Sequence, residues 1–73
     1  MRTLNDLKPG ETAVIKSFTE NDADMDYLME LGIMEGTTVT FVKCAPLGDP
    51  IEIDVRGYHL SLRRSRARCI RVN

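Results

Sequence analysis

Residues 44–63 read CAPLGDPIEIDVRGYHLSLR and predict a loop that leads into a tight β-hairpin. Apolar residues alternate with polar ones on both sides of Arg56-Gly57, with the period of two that is typical of a half-buried strand. The apolar residues are Ile51, Ile53 and Val55 before this dipeptide and Tyr58, Leu60 and Leu62 after it. If Arg56 and Gly57 form a two-residue loop, these residues face each other in pairs, of which the innermost is Val55 with Tyr58. The hairpin would then have one apolar and one charged face.

The composition is that of one small globular domain, which we expect to span residues 1–73. Hydrophobic residues make up 42% of the chain, which is enough for a packed core and too much for a disordered tail. No apolar run approaches the roughly 18 residues of a membrane span, so we expect no insertion into a membrane. The first residues, MRTLNDLKPGE, lack the apolar core of a signal peptide, which predicts a cytoplasmic location.

A turn, a strand and a helix are predicted before the hairpin. Lys8-Pro9-Gly10-Glu11 fits a type II turn, and a β-branched, apolar strand follows over Thr12 to Phe18. Asn21 or Asp22 would cap a short helix, and Gly32 would end it in a left-handed conformation. The apolar face of this helix would comprise Met25, Leu28 and Met29.

A second glycine turn, at residues 34–37, precedes a strand over Thr37 to Cys44. The hairpin adds two strands, and residues 69–72 form a fifth after a tight turn at residues 64–68. Five short strands leave no room for crossover connections, and the one short helix lies between strands 1 and 2. This pattern predicts a mainly β fold, built as a small antiparallel barrel.

Motifs of catalysis and cofactor binding are absent from the sequence. The chain has one histidine without a nucleophile in a recognisable arrangement, and it has no Gly-rich phosphate loop or HExxH sequence. Cys44 and Cys69 are 25 positions apart, outside the spacing of redox or zinc motifs. We expect two reduced, buried or half-buried thiols in strands, no enzyme activity and no cofactor.

Charged residues are distributed unevenly along the chain. Acids without a base occupy the stretch from Glu20 to Glu35, and arginines without an acid occupy the stretch from Arg56 to Asn73. Two solvated faces that attract each other weakly account for this pattern, and it would also orient the domain on a partner. A sequence pI of about 5.7 and the lack of Trp argue against a nucleic-acid partner for the arginines.

His59 is the residue that raises the question of a metal. The hairpin register places it opposite Asp54, and Glu52 would be a third ligand on the same polar face. Tight transition-metal sites usually need three or four protein ligands. A solvated cross-strand pair is therefore the simpler interpretation. We expect no metal site, with His59, Asp54 and Glu52 as the weak candidates.

Residues 46–50, PLGDP, predict a stiff and exposed loop that carries one apolar residue, Leu47. Rigid loops on a barrel are frequent contact sites. A well-specified turn without a partner explains the same residues equally well.

Five segments occur in a fixed order over nearly the whole chain. They are Leu7-Lys8-Pro9-Gly10, Leu28-Met29-Glu30-Leu31-Gly32-Ile33, Gly36-Thr37, Pro46-Leu47-Gly48-Asp49-Pro50 and Tyr58-His59-Leu60-Ser61-Leu62-Arg63. Each alone is a weak signal, but their combination resembles the ferrous iron transport protein A (FeoA) family. The resemblance implies an SH3-like barrel, a bacterial or archaeal cytosolic protein and no catalytic residues. It also implies a role beside FeoB, the membrane ferrous iron transporter with a cytoplasmic GTPase domain.

The chain departs from the family pattern mainly in its charges. Family members commonly have Pro where Glu35 stands, and basic residues where this chain has Asp24, Asp26 and Tyr27. Many also have Glu where this chain has Arg66. The glycine turns are kept, so the fold should be kept, whereas an electrostatic contact of the relatives need not carry over.

We therefore expect a non-enzymatic accessory protein of ferrous iron uptake that docks on the cytoplasmic part of FeoB and modulates it. The docking surface is expected on the acidic helix or on the rigid loop. Its candidate residues are Asp24, Asp26, Tyr27, Glu30, Leu47 and Asp49. The alternative is a small module that binds or senses a transition metal through His59, since the same barrel occurs as the C-terminal domain of iron-dependent repressors. An exposed edge strand also leaves weak self-association open.

Overall fold

Strands dominate the computed structural model, which describes residues 2–73. In chain order the elements are a 3-10 helix Leu4–Asp6, β1 Thr12–Phe18, α1 Ala23–Glu30, β2 Thr38–Cys44, β3 Ile51–Val55, β4 Tyr58–Leu62, α2 Arg64–Ala67 and β5 Ile70–Val72. The strands form one antiparallel sheet in the order β4-β3-β2-β1-β5. The predicted mainly β fold, with five strands and a short helix between the first two, is confirmed.

The hairpin formed by β3 and β4 has the predicted register. Its pairs are Val55 with Tyr58, Asp54 with His59, Ile53 with Leu60, Glu52 with Ser61 and Ile51 with Leu62. Arg56 and Gly57 form the two-residue turn with φ of 52° and 90°, the positive values that a type I′ turn needs at both positions. The three apolar residues of β3 are fully buried, so the apolar face of the hairpin lies on the core.

The two glycine turns before β1 and β2 share one geometry. Gly10 and Gly36 each have φ of 87°, as the third position of a type II turn requires. In the second turn the Thr37 N–H donates to the Met34 carbonyl at 3.0 Å, and the first turn has the equivalent bond at 2.9 Å. Because Thr37 closes this turn, β2 begins one residue later than predicted, at Thr38.

Helix α1 begins and ends with hydrogen bonds that the sequence predicts. Of the two candidate caps it uses Asp22, whose carboxylate accepts from the Met25 N–H at 3.0 Å. At the other end the Ile33 N–H donates to the Leu28 carbonyl at 3.0 Å across Gly32, as in a Schellman ending. Met25 and Leu28 are buried as predicted, and the third residue of the apolar face is half-buried.

Three local predictions were wrong. Residues 64–67 form the short helix α2 rather than part of a tight turn, because the Asp49 carboxylate accepts the N–H of its first residue at 3.0 Å. Cys69 precedes β5 instead of lying within it. Cys44 is exposed, because it lies at the end of β2 beyond a bulge between Phe41 and Lys43.

Every helix and strand contributes a buried side chain to one hydrophobic cluster. Phe41 is the largest fully buried side chain in it, and Val39 from the same strand is also fully buried. None of the helices within residues 2–73 has the length and apolarity to cross a membrane.

The two edges of the sheet differ. The outer edge of β5 is covered by the N-terminal segment, since the Val72 N–H donates to the Arg2 carbonyl at 3.1 Å and Thr3 forms a β-bridge with Arg71. The outer edge of β4 pairs with no strand within residues 2–73. The predicted barrel is therefore open between β4 and β5.

Candidate docking site

The loop at residues 46–50 has a fixed shape and an apolar tip. The Gly48 N–H donates to the Ala45 carbonyl at 2.7 Å, and the Ala45 N–H donates to the Pro50 carbonyl at 2.9 Å. The peptide bond before Pro50 is cis. Leu47 is 97% exposed at the tip. The loop thus presents one apolar side chain to solvent on a hydrogen-bonded frame.

Arg64 connects this loop to the rest of the domain. Its backbone N–H donates to the Asp49 carboxylate at 3.0 Å, and its guanidinium donates to the Gly48 carbonyl and, at 2.9 Å, to the Asn5 side chain. The guanidinium carbon lies 5.9 Å from the ring centroid of buried Phe41, within the range of a cation–π contact. Asp49, a predicted docking residue, is thus engaged in starting α2 and holding the loop.

Asp24, another predicted docking residue, is engaged in an ion pair within the domain. The Arg66 guanidinium donates to Asp22 at 2.9 Å and to Asp24 at 2.7 Å. The hydrogen bond from the Met25 N–H, followed by the one from Arg66, lowers the pKa of the Asp22 carboxyl below its usual value. Asp24 is therefore occupied by a base of its own domain, on α2.

The other acidic-face candidates remain available on α1. Asp26, Tyr27 and Glu30 are exposed, and Tyr27 is 61% exposed. Within residues 2–73, no ion pair engages the two acids. The hydrogen bonds of the described chain connect none of these three residues with the loop at 46–50.

Two further exposed apolar side chains were not predicted as surface features. Tyr58, predicted on the apolar face of the hairpin, is 43% exposed because it lies beside the turn at the end of the sheet. A Cβ atom built on Gly32 would lie 3.1 Å from the Tyr58 hydroxyl oxygen, so the hairpin tip approaches the end of α1 closely. Met34 is 39% exposed just beyond this point. Neither exposure could be predicted from the alternation of residues, because it depends on where the sheet ends.

His59 lies between the two predicted carboxylates on the polar face of the hairpin. Its Nδ1 is 3.4 Å from Glu52 and its Nε2 is 3.8 Å from Asp54, so the acids flank opposite sides of the ring. A single metal ion binds one imidazole nitrogen, and these three groups do not converge on one point. Across residues 2–73, no three side chains of His, Cys, Asp and Glu are arranged to hold a metal ion.

The family model described as "FeoA domain" matches residues 2–73. The chain belongs to the FeoA family. A Porphyromonas gingivalis protein described as an "Fe(2+) transport protein A/Fe(2+) transporter FeoB fusion protein" is 38% identical over 69 residues. That match covers 94% of this FeoA chain but only 8% of the length of the relative.

Solved FeoA structures have the same fold as this chain. The solution structure of FeoA from Chlorobium tepidum is 38% identical with a TM-score of 0.93, and the match covers 99% of this chain and 69% of that one. FeoA from Stenotrophomonas maltophilia, described as an SH3 domain protein in complex with zinc, is 32% identical with a TM-score of 0.88, over 100% and 91% of the two chains. The SH3-like fold is confirmed.

A likeness at the level of fold alone extends to IdeR from T. acidophilum. The two chains are 20% identical with a TM-score of 0.87, and the match covers 99% of this FeoA chain and 33% of the IdeR chain. The same fold therefore occurs as one part of a longer, different protein.

Proposed function

We propose that this FeoA protein is a non-enzymatic, cytoplasmic accessory protein of ferrous iron uptake that binds the GTPase-containing part of FeoB and modulates it. The P. gingivalis relative carries the proposal, because its description joins Fe(2+) transport protein A and FeoB in one polypeptide. Domains on one chain meet at high effective concentration, which favours a direct contact between them. Docking would modulate FeoB only if it binds one conformational or nucleotide state more tightly than the other.

Leu47 is the anchor that the geometry favours for this contact. Its side chain is 97% exposed on a loop held by hydrogen bonds at its base and by Arg64 at its side. Burying a leucine against a partner contributes about 1.5–3 kcal/mol. A loop of fixed shape also loses little conformational entropy on binding.

The acidic face of α1 is the second candidate for the contact, through Asp26, Tyr27 and Glu30. Asp24 supports it less well, because it would have to leave Arg66 before it could contact a base on a partner. Exposed acids also contribute more to the rate of association than to affinity.

A binding titration against full-length FeoB from the same genome, in a membrane mimic with and without guanine nucleotide, tests the proposal. We expect saturable binding that changes with nucleotide, and we expect Leu47→Ala to raise Kd by about tenfold. Met34→Ala removes a different exposed apolar side chain and serves as the control.

Absence of saturable binding in every nucleotide state would contradict the proposed function. Equal binding by wild type and Leu47→Ala would exclude Leu47 as the anchor and leave the acidic face of α1 as the next candidate to test. If the acidic face makes the contact, the charge-reversed variants Asp26→Lys and Glu30→Lys should lower the association rate.

A second candidate function is weak binding of a transition metal through His59. It is favoured by the zinc described for the S. maltophilia relative and by the exposed imidazole, although the two neighbouring carboxylates do not converge with it on one point. A titration of wild type and His59→Ala with ferrous and zinc ions tests it. Equal affinity of the two proteins would contradict a site at His59, and loss of binding in the variant alone would support it.

A further inference from the structure

The outer edge of β4 carries backbone groups that point away from the sheet. Val55 and Tyr58 close the two-residue turn as a hydrogen-bonded pair, so every second residue from Tyr58 onward directs its N–H and C=O at β3. His59 and Ser61 direct theirs outward. No hydrogen bond within residues 2–73 uses these four groups.

This edge lacks the features that usually prevent an edge strand from pairing. Between Tyr58 and Leu62 there is no Lys, Asp, Glu or Pro, and the pairing with β3 continues without a bulge. The other edge of the same sheet, at β5, is covered by Arg2 and Thr3. The outer edge of β4 is therefore the one place in the described sheet where a further strand can be added without displacing part of the domain.

We infer that β4 is a strand-addition site for an extended segment of FeoB, with apolar side chains at alternate positions and acidic residues near its ends. This inference rests on the proposed function, because it assigns the segment to that partner. Main-chain hydrogen bonds to His59 and Ser61 would supply affinity, and alternate side chains would supply specificity. Apolar side chains of the segment would extend the face on which Tyr58 is 43% exposed and Leu60 is half-buried.

The acidic residues of the inferred segment follow from the positive charges at the two ends of β4. Arg56 in the turn and Arg63 after the strand are exposed, and neither forms an ion pair within residues 2–73. Acids at both ends of an added strand would lie beside them. The strand itself has no acid to repel such a segment.

The same charges disfavour a second copy of this chain as the occupant. Two antiparallel β4 strands related by a two-fold axis satisfy all outward groups when His59 of each copy faces Ser61 of the other. In that register Arg63 of each copy faces Gly57 of the other, next to Arg56. Two pairs of like charges would therefore meet at the ends of the dimer, which opposes pairing.

Residue-level hydrogen exchange tests the inference on the wild-type protein. Exchange is run on the domain saturated with full-length FeoB in a membrane mimic, and the amides are quantified by NMR after the complex is dissociated. We expect the amides of His59 and Ser61 to exchange at least about tenfold more slowly in the complex. The Leu60 amide, which already bonds to β3, should change little. Unchanged exchange at His59 and Ser61 in a saturated complex would overturn the inference.

Ser61→Pro provides an independent test, because proline removes an outward N–H and leaves the bonds between β4 and β3 intact. We expect this variant to raise Kd for FeoB by about tenfold or more, since the facing carbonyl of the added strand loses its donor. Ser61→Ala keeps the N–H and should bind as wild type does. If Ser61→Pro does not fold, as judged by circular dichroism, the exchange experiment decides.

The outcomes separate this inference from the function on which it rests. If wild type, Ser61→Pro and Ser61→Ala all bind FeoB equally, the edge is not the contact, while docking itself stands. If wild type does not bind, both fail. A wild-type dimer in sedimentation velocity that Ser61→Pro dissociates would overturn the inference in favour of a second copy as the occupant.

Discussion

Both the backbone conformation and a tertiary contact require glycine at position 32. Its φ of 105° is unfavourable for any residue with a side chain, and a Cβ would lie 3.1 Å from the Tyr58 hydroxyl oxygen and 3.5 Å from Val55. We expect Gly32→Ala to lower the free energy of unfolding by about 1–2 kcal/mol in urea denaturation.

Gly10→Ala is the matched control for this prediction. Gly10 also has a positive φ, of 87°, but a Cβ there would meet nothing within 4 Å. Gly10→Ala should lose stability only through the unfavourable backbone conformation, so its free energy of unfolding should fall by less than that of Gly32→Ala. Equal losses in the two variants would mean that the contact with the hairpin tip contributes nothing.

Asp22 makes stability depend on pH in the acid range. The Met25 N–H and then Arg66 lower the pKa of this carboxyl below its usual value in the folded protein. The ionised Asp22 carboxylate therefore stabilises the folded protein at pH values above the pKa that it has in the unfolded chain. This stabilisation is lost as the pH falls through the lower pKa that Asp22 has in the folded protein. Asp22→Asn keeps a side-chain cap without a titrating group, so we expect its stability to fall less steeply between about pH 5 and pH 2.

Urea denaturation at a series of pH values measures this dependence. Asp26→Asn is the control, because Asp26 has no ion pair within residues 2–73. The free energy of unfolding of Asp26→Asn should fall with decreasing pH as steeply as that of wild type. A wild-type slope in Asp22→Asn as well would show that this carboxyl is not the source of the acid sensitivity.

The turns before β1 and β2 offer a prediction at the scale of elements. Both are type II turns with glycine at the third position, and Pro9 occupies the second position of the first turn. The second position of the other turn is Glu35, whose N–H makes no hydrogen bond within residues 2–73. We expect Glu35→Pro to raise the free energy of unfolding by about 0.4–1 kcal/mol, by restricting the unfolded chain. Glu35→Ala removes the same charge without this restriction and should gain nothing, and an equal gain in both variants would contradict the prediction.

Elements defined by local pattern could be predicted from the sequence. The alternation on both sides of Arg56-Gly57 predicts the register of the hairpin. The start of α1 is predicted to within one residue by its two candidate caps, Asn21 and Asp22, and its end is predicted by Gly32. Helix α2 could not be predicted in this way, because the carboxylate that starts it, on Asp49, lies 15 residues earlier in the chain.

The same limit applies to the predicted docking residues. Asp24 looks free in the sequence, but its partner Arg66 is 42 positions away and is brought to it by the fold. Exposure of Leu47 could be predicted, because proline and glycine on both sides keep it out of regular structure. Charge patterns predict which faces are polar, whereas the tertiary contacts decide which charges remain available to a partner.

At the scale of the whole molecule, Arg64 joins parts that are distant in sequence. It contacts the loop through Gly48, the 3-10 helix through Asn5 and the core through the ring of Phe41. We expect Arg64→Met to lower the free energy of unfolding by about 1.5–3 kcal/mol, because these hydrogen bonds involve a charged and partly buried donor. Thermal and urea denaturation measure the loss.

Arg63→Met is the control for the loss at Arg64. Arg63 is exposed, and its side chain makes no hydrogen bond within residues 2–73. It should change stability little, and an equal loss in both variants would argue against a joining role for Arg64. The loop amide of Gly48 should also exchange faster in Arg64→Met, since it lies in the frame that Arg64 supports.

The N-terminal segment that covers β5 also brings the two ends of the described chain together. The Arg2 side chain donates to the Asn73 carbonyl at 3.1 Å, and β4 stands at the opposite end of the strand order. A second domain fused before residue 2 or after residue 73 would be attached at nearly the same place on the surface. In an engineered fusion protein, the second domain should therefore take a similar position whether it is joined to the N-terminal or to the C-terminal end. A short linker of the same length should serve at either end.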